Sequence, residues 1–246
     1  MSFWQLAGLV RARGLIVSRI NNSARDPLLC YVTDRRSLPD FELGKARETL
    51  LSKIQAAARA GVDWIQIREK DLSGRDCTSL AQEVLLRAAK SPARNGASAR
   101  ILVNDRLDVA LSERAGGVHL GEKSLPPSEA RRLVNAVIPS QDFLIGASCH
   151  SLEAARSAAS DGADYLFFGP IFTTPSKAAF GAPQSLERLG EVCRAVSIPV
   201  LAIGGITLEN APDCLAAGAA GIAAIRLFQN ARDIFSPVQS LRKLTR

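Results

Sequence analysis

The stretch VDWIQIREKD, Val62–Asp71, decides how the rest of the chain is read. Val62–Ile67 is apolar, β-branched and aromatic, and too brief for a helix, so it reads as a short buried strand. As it ends it presents Gln66, Arg68 and Lys70 in alternation, and the two-residue period of a strand puts all three on one side. An amide, a guanidinium and an ammonium suit an anion: arginine offers a planar fork to phosphate oxygens and lysine a mobile point charge. The same residues would also serve as the polar end of a solvated strand, and the stretch alone leaves both readings open.

Working outward, short apolar runs alternate with longer helical patterns from Leu28 onward. Strands are expected over Leu28–Thr33, Val62–Arg68, Ile101–Asn104, Gly117–Leu120, Phe143–Ser148, Asp164–Phe168, Pro199–Ile203 and Gly221–Ile225. Helices are expected over Lys45–Ala60, Asp76–Lys90, Leu107–Arg114, Pro127–Ala136, Leu186–Val196 and Leu208–Ala217. A further helix runs to Ser160 with Ser151 as its N-cap, and a closing helix falls within Ile234–Lys243. Strict strand–helix alternation implies parallel pairing and an α/β fold of the closed (β/α)8, or TIM barrel, type. Two open doubly wound sheets are the alternative, but no linker or composition break divides the chain. The expected organisation is one barrel over residues 28–246 with an N-terminal extension over residues 1–27.

Polar residues recur just after the strands: Thr33 and Asp34, Gln66 to Lys70, Asn104 and Asp105, His119, Ser148 and His150, Lys177, and Gly204–Gly205. In a (β/α)8 barrel those positions form the catalytic face. Asn104–Arg106 (NDR) sets a carboxylate at the end of strand three, where Asp105 either binds Mg2+, a cation that prefers oxygen ligands, or caps the next helix. Ile203–Ile206 (IGGI) follows strand seven; its glycines either admit an anion to backbone N–H groups or make a tight turn at positive φ. Arg226, directly after strand eight, would reach the same anion. The loop Gly169–Gly181 carries Thr173, Thr174, Ser176 and Lys177, with Ile171 and Phe172 indicating that part of it is packed. Of the two histidines, His119 reads as a hydrogen-bonded wall residue and His150 as the better placed for proton transfer.

The 246 residues are 47% hydrophobic and 22% charged, with 31 Lys+Arg against 24 Asp+Glu, a formal charge of +7. The cations are scattered and no nucleic-acid module is evident, so phosphorylated small molecules account for the excess and nucleic acid is not an expected partner. No apolar run reaches ~18 residues, so no membrane span is expected. Cys30, Cys77, Cys149, Cys193 and Cys214 are dispersed, as reduced thiols of a cytoplasmic protein would be. Met1–Arg25 carries four arginines among apolar residues and reads as a targeting or surface helix or a docked tail, dispensable to the domain. A homo-oligomer stays open.

Together these motifs resemble the thiamine phosphate synthase family and its relative, the thiazole tautomerase family. The resemblance spans about Leu28 to Phe228. It rests on Tyr31–Asp34 (YVTD), Gln66–Lys70 (QIREK), Asn104–Arg106 (NDR), Gly117–Gly121 (GVHLG), Gly146–Ser151 (GASCHS), Gly162–Phe172 (GADYLFFGPIF), Ser176–Lys177 and Ala202–Ile206 (AIGGI). For a synthase it implies that hydroxymethylpyrimidine diphosphate loses pyrophosphate and that thiazole phosphate captures the resulting cation, with Mg2+ as cofactor. It implies that Gln66, Arg68, Lys70, Asn104 and Lys177 hold the diphosphate and Asp105 the metal. Ser148 would face the pyrimidine, and Thr174, Ser176 and Gly205 would take the thiazole phosphate. Two positions depart from the synthase pattern: Ser124 stands where a second metal aspartate is usual, and Arg226 where a serine is usual. A tautomerase using His150, or a non-catalytic thiazole-phosphate-binding regulator, are the other readings of the same scaffold.

Overall fold

A computed structural model describes residues 26–39, 41–42, 44–91, 98–138, 142–173 and 183–244. Residues 1–25 of the expected N-terminal extension, and the loop residues Thr174, Ser176 and Lys177, lie outside the described residues. Chain order is β1 (Leu28–Val32), α1 (Ala46–Ala60), β2 (Trp64–Ile67), α2 (Gly74–Ala89), β3 (Arg100–Asn104), α3 (Leu107–Ser112), β4 (Gly117–Leu120) and α4 (Pro127–Val137). It continues with β5 (Leu144–Cys149), α5 (Leu152–Ser160), β6 (Tyr165–Phe168), α6 (Leu186–Ala195), β7 (Val200–Ile203), α7 (Ala211–Ala216), β8 (Gly221–Ala224), α8 (Arg226–Gln229) and α9 (Phe235–Arg242). The strands pair in sequence order, all parallel, and β8 closes onto β1. This is the (β/α)8 barrel that the alternation implies.

The sequence sets the helix starts locally. Ser73, Ser151 and Ser185 each sit in extended backbone and accept the N–H three residues on, at 3.1, 3.1 and 3.2 Å. Each such cap contributes about 1 kcal/mol. The strand period then sorts side chains between two cores. Leu29, Ile65, Ile101, Val103 and Ile145 face outward beneath the helices, whereas Leu28, Cys30, Val32, Trp64, Leu102, Leu144, Tyr165, Phe167 and Leu201 fill the barrel. Trp64 and Tyr165 meet with ring centroids 4.6 Å apart. Gly146 makes room for this plug: a Cβ there would lie 2.0 Å from Cζ of Tyr165.

The N-terminal end of the barrel is tied by two matching clamps. Asp63 accepts the Leu29 N–H at 2.7 Å and pairs with Arg242 of α9 at 2.8 Å, while Arg242 also donates to the carbonyls of Pro27 and Gly61, both at 2.6 Å. Asp164 repeats the device, accepting the Ile145 N–H at 2.7 Å and pairing with Arg131 of α4 at 2.5 Å. These carboxylates stand before their strands, at the end opposite the polar residues, where they serve stability.

Most boundaries shift by a residue or two from the pattern reading, and three differences have a physical reason. The strand β2 stops at Ile67, because Thr33 Oγ1 takes the Arg68 N–H at 3.0 Å and the chain turns. Lys70 therefore sits in an exposed turn, past the reach of strand alternation. Residues before α7 form a turn in which Asn210 Oδ1 accepts the Thr207 N–H at 2.8 Å, so that helix starts at Ala211. The four-residue α8 had no pattern to announce it, yet its Gln229 is fully buried and clasps the β1 loop. Gln229 Nε2 donates to Asp34 O at 2.7 Å and to Ser37 Oγ at 3.0 Å, and Oε1 accepts from Tyr31 Oη at 3.1 Å.

Candidate active site

The C-terminal mouth of the barrel carries a hydrogen-bonded line across β2, β3 and β4. Gln66 points inward with 1% of its surface exposed, and its Nε2 donates to Asn104 Oδ1 at 2.8 Å. Asn104 Nδ2 donates to Asp105 Oδ2 at 2.7 Å. Asp105 Oδ1 accepts from the Gly121 N–H at 2.8 Å and from Ser124 Oγ at 2.5 Å. Its backbone lies in the left-handed region at φ 58°, a conformation that aspartate tolerates better than most residues. The carboxylate is thus turned toward the β4 loop. It makes no cap to α3, whose N-terminus has no side-chain cap, so the capping alternative falls. Gln66 Oε1 is buried without a hydrogen-bond partner among the described residues, an acceptor turned into the barrel and open to a ligand N–H.

A second polar group lies beside the first. His119 is buried in β4, opposite Asn104 in register, with its ring 4.1 Å from that of Phe167. Its Nε2 is 2.8 Å from Ser148 Oγ and its Nδ1 3.0 Å from Tyr165 Oη. Burial pushes its pKa down to about 3; the charge of Asp105 opposes the fall and that of Arg68 adds to it. The ring is neutral at physiological pH, and Arg68 and Asp105 are both within electrostatic range of it. His119 is the hydrogen-bonded wall residue expected.

Arg68 is placed by a pedestal beneath it. Thr33 Oγ1 donates to Glu69 Oε1 at 2.6 Å, and Glu69 also accepts from the Arg35 N–H and Nη1, each at 3.0 Å. Arg35 in turn forks onto Asp71 at 2.7 and 2.8 Å. Glu69 is spent within this network, with burial pushing its pKa up. The Arg68 guanidinium, half-buried, makes no hydrogen bond or ion pair among the described residues. A held backbone with an unengaged guanidinium is suited to receive an anion.

The far side of the mouth is made by β5 to β8. His150 follows β5, and its Nδ1 bonds to the Gly169 carbonyl. A carbonyl only accepts, so Nδ1 carries hydrogen and donates it to Gly169. Ile171 and Phe172 zip onto the β7 end through N–H bonds to Ile203 O and Gly204 O, both at 3.0 Å, and Ile171 is buried as expected. That close approach explains Gly204 and Gly205, at φ 95° and 68°: a Cβ on Gly205 would lie 2.7 Å from Thr173 O and 2.8 Å from Phe172 Cβ. Positive φ and tight contact both hold here, so the turn reading of IGGI is satisfied, and an anion role has to coexist with it. Arg226 is exposed at the first residue of α8.

The mouth therefore gathers Gln66, Arg68, Asn104, Asp105 and Ser148 around His119. Sequence reading missed Tyr165 and the Thr33–Glu69–Arg35 pedestal. The signal for Tyr165 was a glycine in β5 facing an aromatic in β6, since Gly146 and Tyr165 are register partners. Among the described residues no group of three or more His, Cys, Asp or Glu is assembled for a metal, and the charge of exposed Glu122 is felt at Cys149. No helix among them is long and apolar enough to cross a membrane.

Fold and mouth together define a class: a (β/α)8 barrel with polar and cationic side chains at the C-terminal ends of its strands. The chain belongs to the thiamine monophosphate synthase family, whose model matches residues 29–228. A thiamine-phosphate synthase of Methanoculleus marisnigri is 44% identical over 203 residues, spanning 82% of this chain and 90% of its own. One from Chlorobium luteolum is 39% identical over 223 residues, spanning 91% and 93%. The solved thiamine phosphate pyrophosphorylase of Pyrococcus furiosus aligns with a TM-score of 0.70 at 33% identity, covering 88% of this chain and 94% of that one.

Proposed function

We infer that the chain joins hydroxymethylpyrimidine diphosphate to thiazole phosphate with release of pyrophosphate, a transferase reaction of thiamine biosynthesis. The observation that carries the reading is the family match over residues 29–228, which embraces every strand end lining the mouth. The C–O bond between the pyrimidine methylene and the diphosphate breaks, and its electron pair leaves with pyrophosphate. The thiazole nitrogen lone pair then forms the new C–N bond, giving a thiazolium. No proton is lost in this accounting, so the protein's task is to stabilise departing negative charge and align two ligands.

The residues take roles accordingly. Arg68 and Lys70, with Lys177 from the loop beyond β6, receive the diphosphate, and Gln66 and Asn104 line its approach. The held backbone and unengaged guanidinium of Arg68 support its part. Ser148 faces the pyrimidine. Gly205 and Arg226, with Thr174 and Ser176, take the thiazole phosphate. His150, engaged with Gly169, positions the β6 loop, since the bond accounting leaves it no proton to move.

The donors at the end of β3 fit Mg2+. Asp105 offers a carboxylate and Ser124 a hydroxyl, hard oxygen ligands to be completed by water and substrate phosphate. Bound there, Mg2+ would supply positive charge to the departing pyrophosphate. Five cysteines without disulfides accord with a cytoplasmic setting. The test is a coupling assay with both substrates. Turnover abolished by chelation and restored by Mg2+ is expected; metal-independent isomerisation of a carboxythiazole phosphate, lost in His150→Ala, would replace this reading with the tautomerase.

A further inference from the structure

We propose that Tyr165 and His119 form a one-way hydrogen-bond relay that fixes Ser148 as a donor toward the pyrimidine substrate. The number of hydrogens available to the three side chains sets its direction. Tyr165 is fully buried, and its hydroxyl meets only His119 Nδ1, at 3.0 Å, among the described residues. The other ring nitrogen meets Ser148 Oγ at 2.8 Å. A neutral imidazole carries a single N–H, so two arrangements exist.

In one, Nδ1–H donates to Tyr165 Oη and Nε2 accepts from Ser148. The phenolic hydrogen is then buried without an acceptor, and the serine spends its own hydrogen inside the barrel. In the other, Tyr165 donates to Nδ1, Nε2–H donates to Ser148 Oγ, and every buried group is satisfied. A buried donor left without an acceptor loses its hydrogen bond to water with nothing in return, so the second arrangement holds. Ser148, half-buried at the top of β5, is left with its hydrogen pointed into the mouth.

The consequence is selectivity for an acceptor atom at that point, of the kind a pyrimidine ring nitrogen supplies; a phosphoryl oxygen offers the same chemistry. Tyr165 and His119 act through Ser148 and are positioning residues. Only the identity of the acceptor rests on the function proposed above. The direction of the relay is a property of the free protein.

The test begins with 15N-histidine NMR of the full chain without substrate, with the His119 signals assigned by their loss in His119→Gln. An Nε2–H tautomer is expected; an Nδ1–H tautomer or an imidazolium at pH 7 overturns the proposal. Tyr165→Phe leaves Nδ1 without a partner in either tautomer, so it should narrow the preference for Nε2–H and raise KM for the pyrimidine diphosphate roughly five- to ten-fold. KM for thiazole phosphate should stay unchanged, and Tyr165→Phe should add nothing in a Ser148→Ala background. Inorganic pyrophosphate separates the two acceptor sources. Its affinity should be unaltered by Tyr165→Phe if the ring nitrogen is the acceptor, and an equal loss for pyrophosphate would overturn that assignment. Additive effects of the two substitutions would reduce Tyr165 to a packing role and refute the relay. Should Tyr165→Phe fail to fold, the tautomer of the unsubstituted chain still decides.

Discussion

Ser124 Oγ lies 2.5 Å from Asp105 Oδ1, so the hydroxyl of the β4 loop holds the one carboxylate at the end of β3. A serine in that place lends a neutral oxygen where a second carboxylate would bring charge. Divalent cations are bound more tightly as ligand charge rises. Ser124→Asp should therefore lower the Mg2+ concentration at half-maximal activity several-fold, read from an Mg2+ titration of the coupling reaction. An unchanged requirement would separate Ser124 from the metal.

Asp105→Asn should cut turnover by roughly a hundred-fold, the scale on which removal of a preorganised charge-stabilising group is felt. Asparagine tolerates the left-handed backbone at φ 58°, and the side chain is exposed, so the thermal midpoint should move little. Circular dichroism melts beside steady-state rates check both halves.

Gly146→Ala tests the barrel plug. The added methyl would sit 2.0 Å from Tyr165 Cζ and 2.4 Å from its Oη, and overpacking of this kind costs about 1–3 kcal/mol. The urea midpoint should fall accordingly. Because Tyr165 is displaced, KM for the pyrimidine substrate should rise with it.

His119 makes stability depend on acid. The unfolded ring takes its proton near 6.5 and the folded one only near 3, so between these values the unfolded state binds more protons. Stability from this group is present above that window and is lost as pH falls through it, on the order of 3 kcal/mol between pH 7 and pH 4. His119→Gln should be less stable at neutral pH but should lose less on acidification. Urea melts of both proteins at the two pH values check the slope.

Much of this fold could be read from the letters alone, for a physical reason. A fully buried strand such as Leu28–Val32 must be continuously apolar, and each glycine or proline between strands marks a turn, so strand count and parallel order follow. The polar residues after β2, β3 and β5 could likewise be assigned to the mouth, since closure forces strand ends together. Other features depend on partners that pattern cannot show. β2 stops at Ile67 because of a hydroxyl on Thr33, thirty-five residues away along the chain. In the letters Tyr165 is one more aromatic of an apolar strand, and only the contact of its hydroxyl with His119 sets it apart. The helix α8, at four residues, is too short for periodicity to reveal. Thr174, Ser176 and Lys177 lie outside the described residues, and their roles rest on resemblance.

The central claim is that Arg68, held by Thr33 and left unpaired among the described residues, receives the diphosphate at the barrel mouth. Calorimetric titration of pyrophosphate with Mg2+ into the full chain and into Arg68→Ala tests it most directly. The account predicts saturable binding to the unsubstituted chain and a loss of at least roughly ten-fold in affinity in Arg68→Ala, the scale of one charge-assisted hydrogen bond. Equal affinity in the two proteins, with the fold intact, would contradict it.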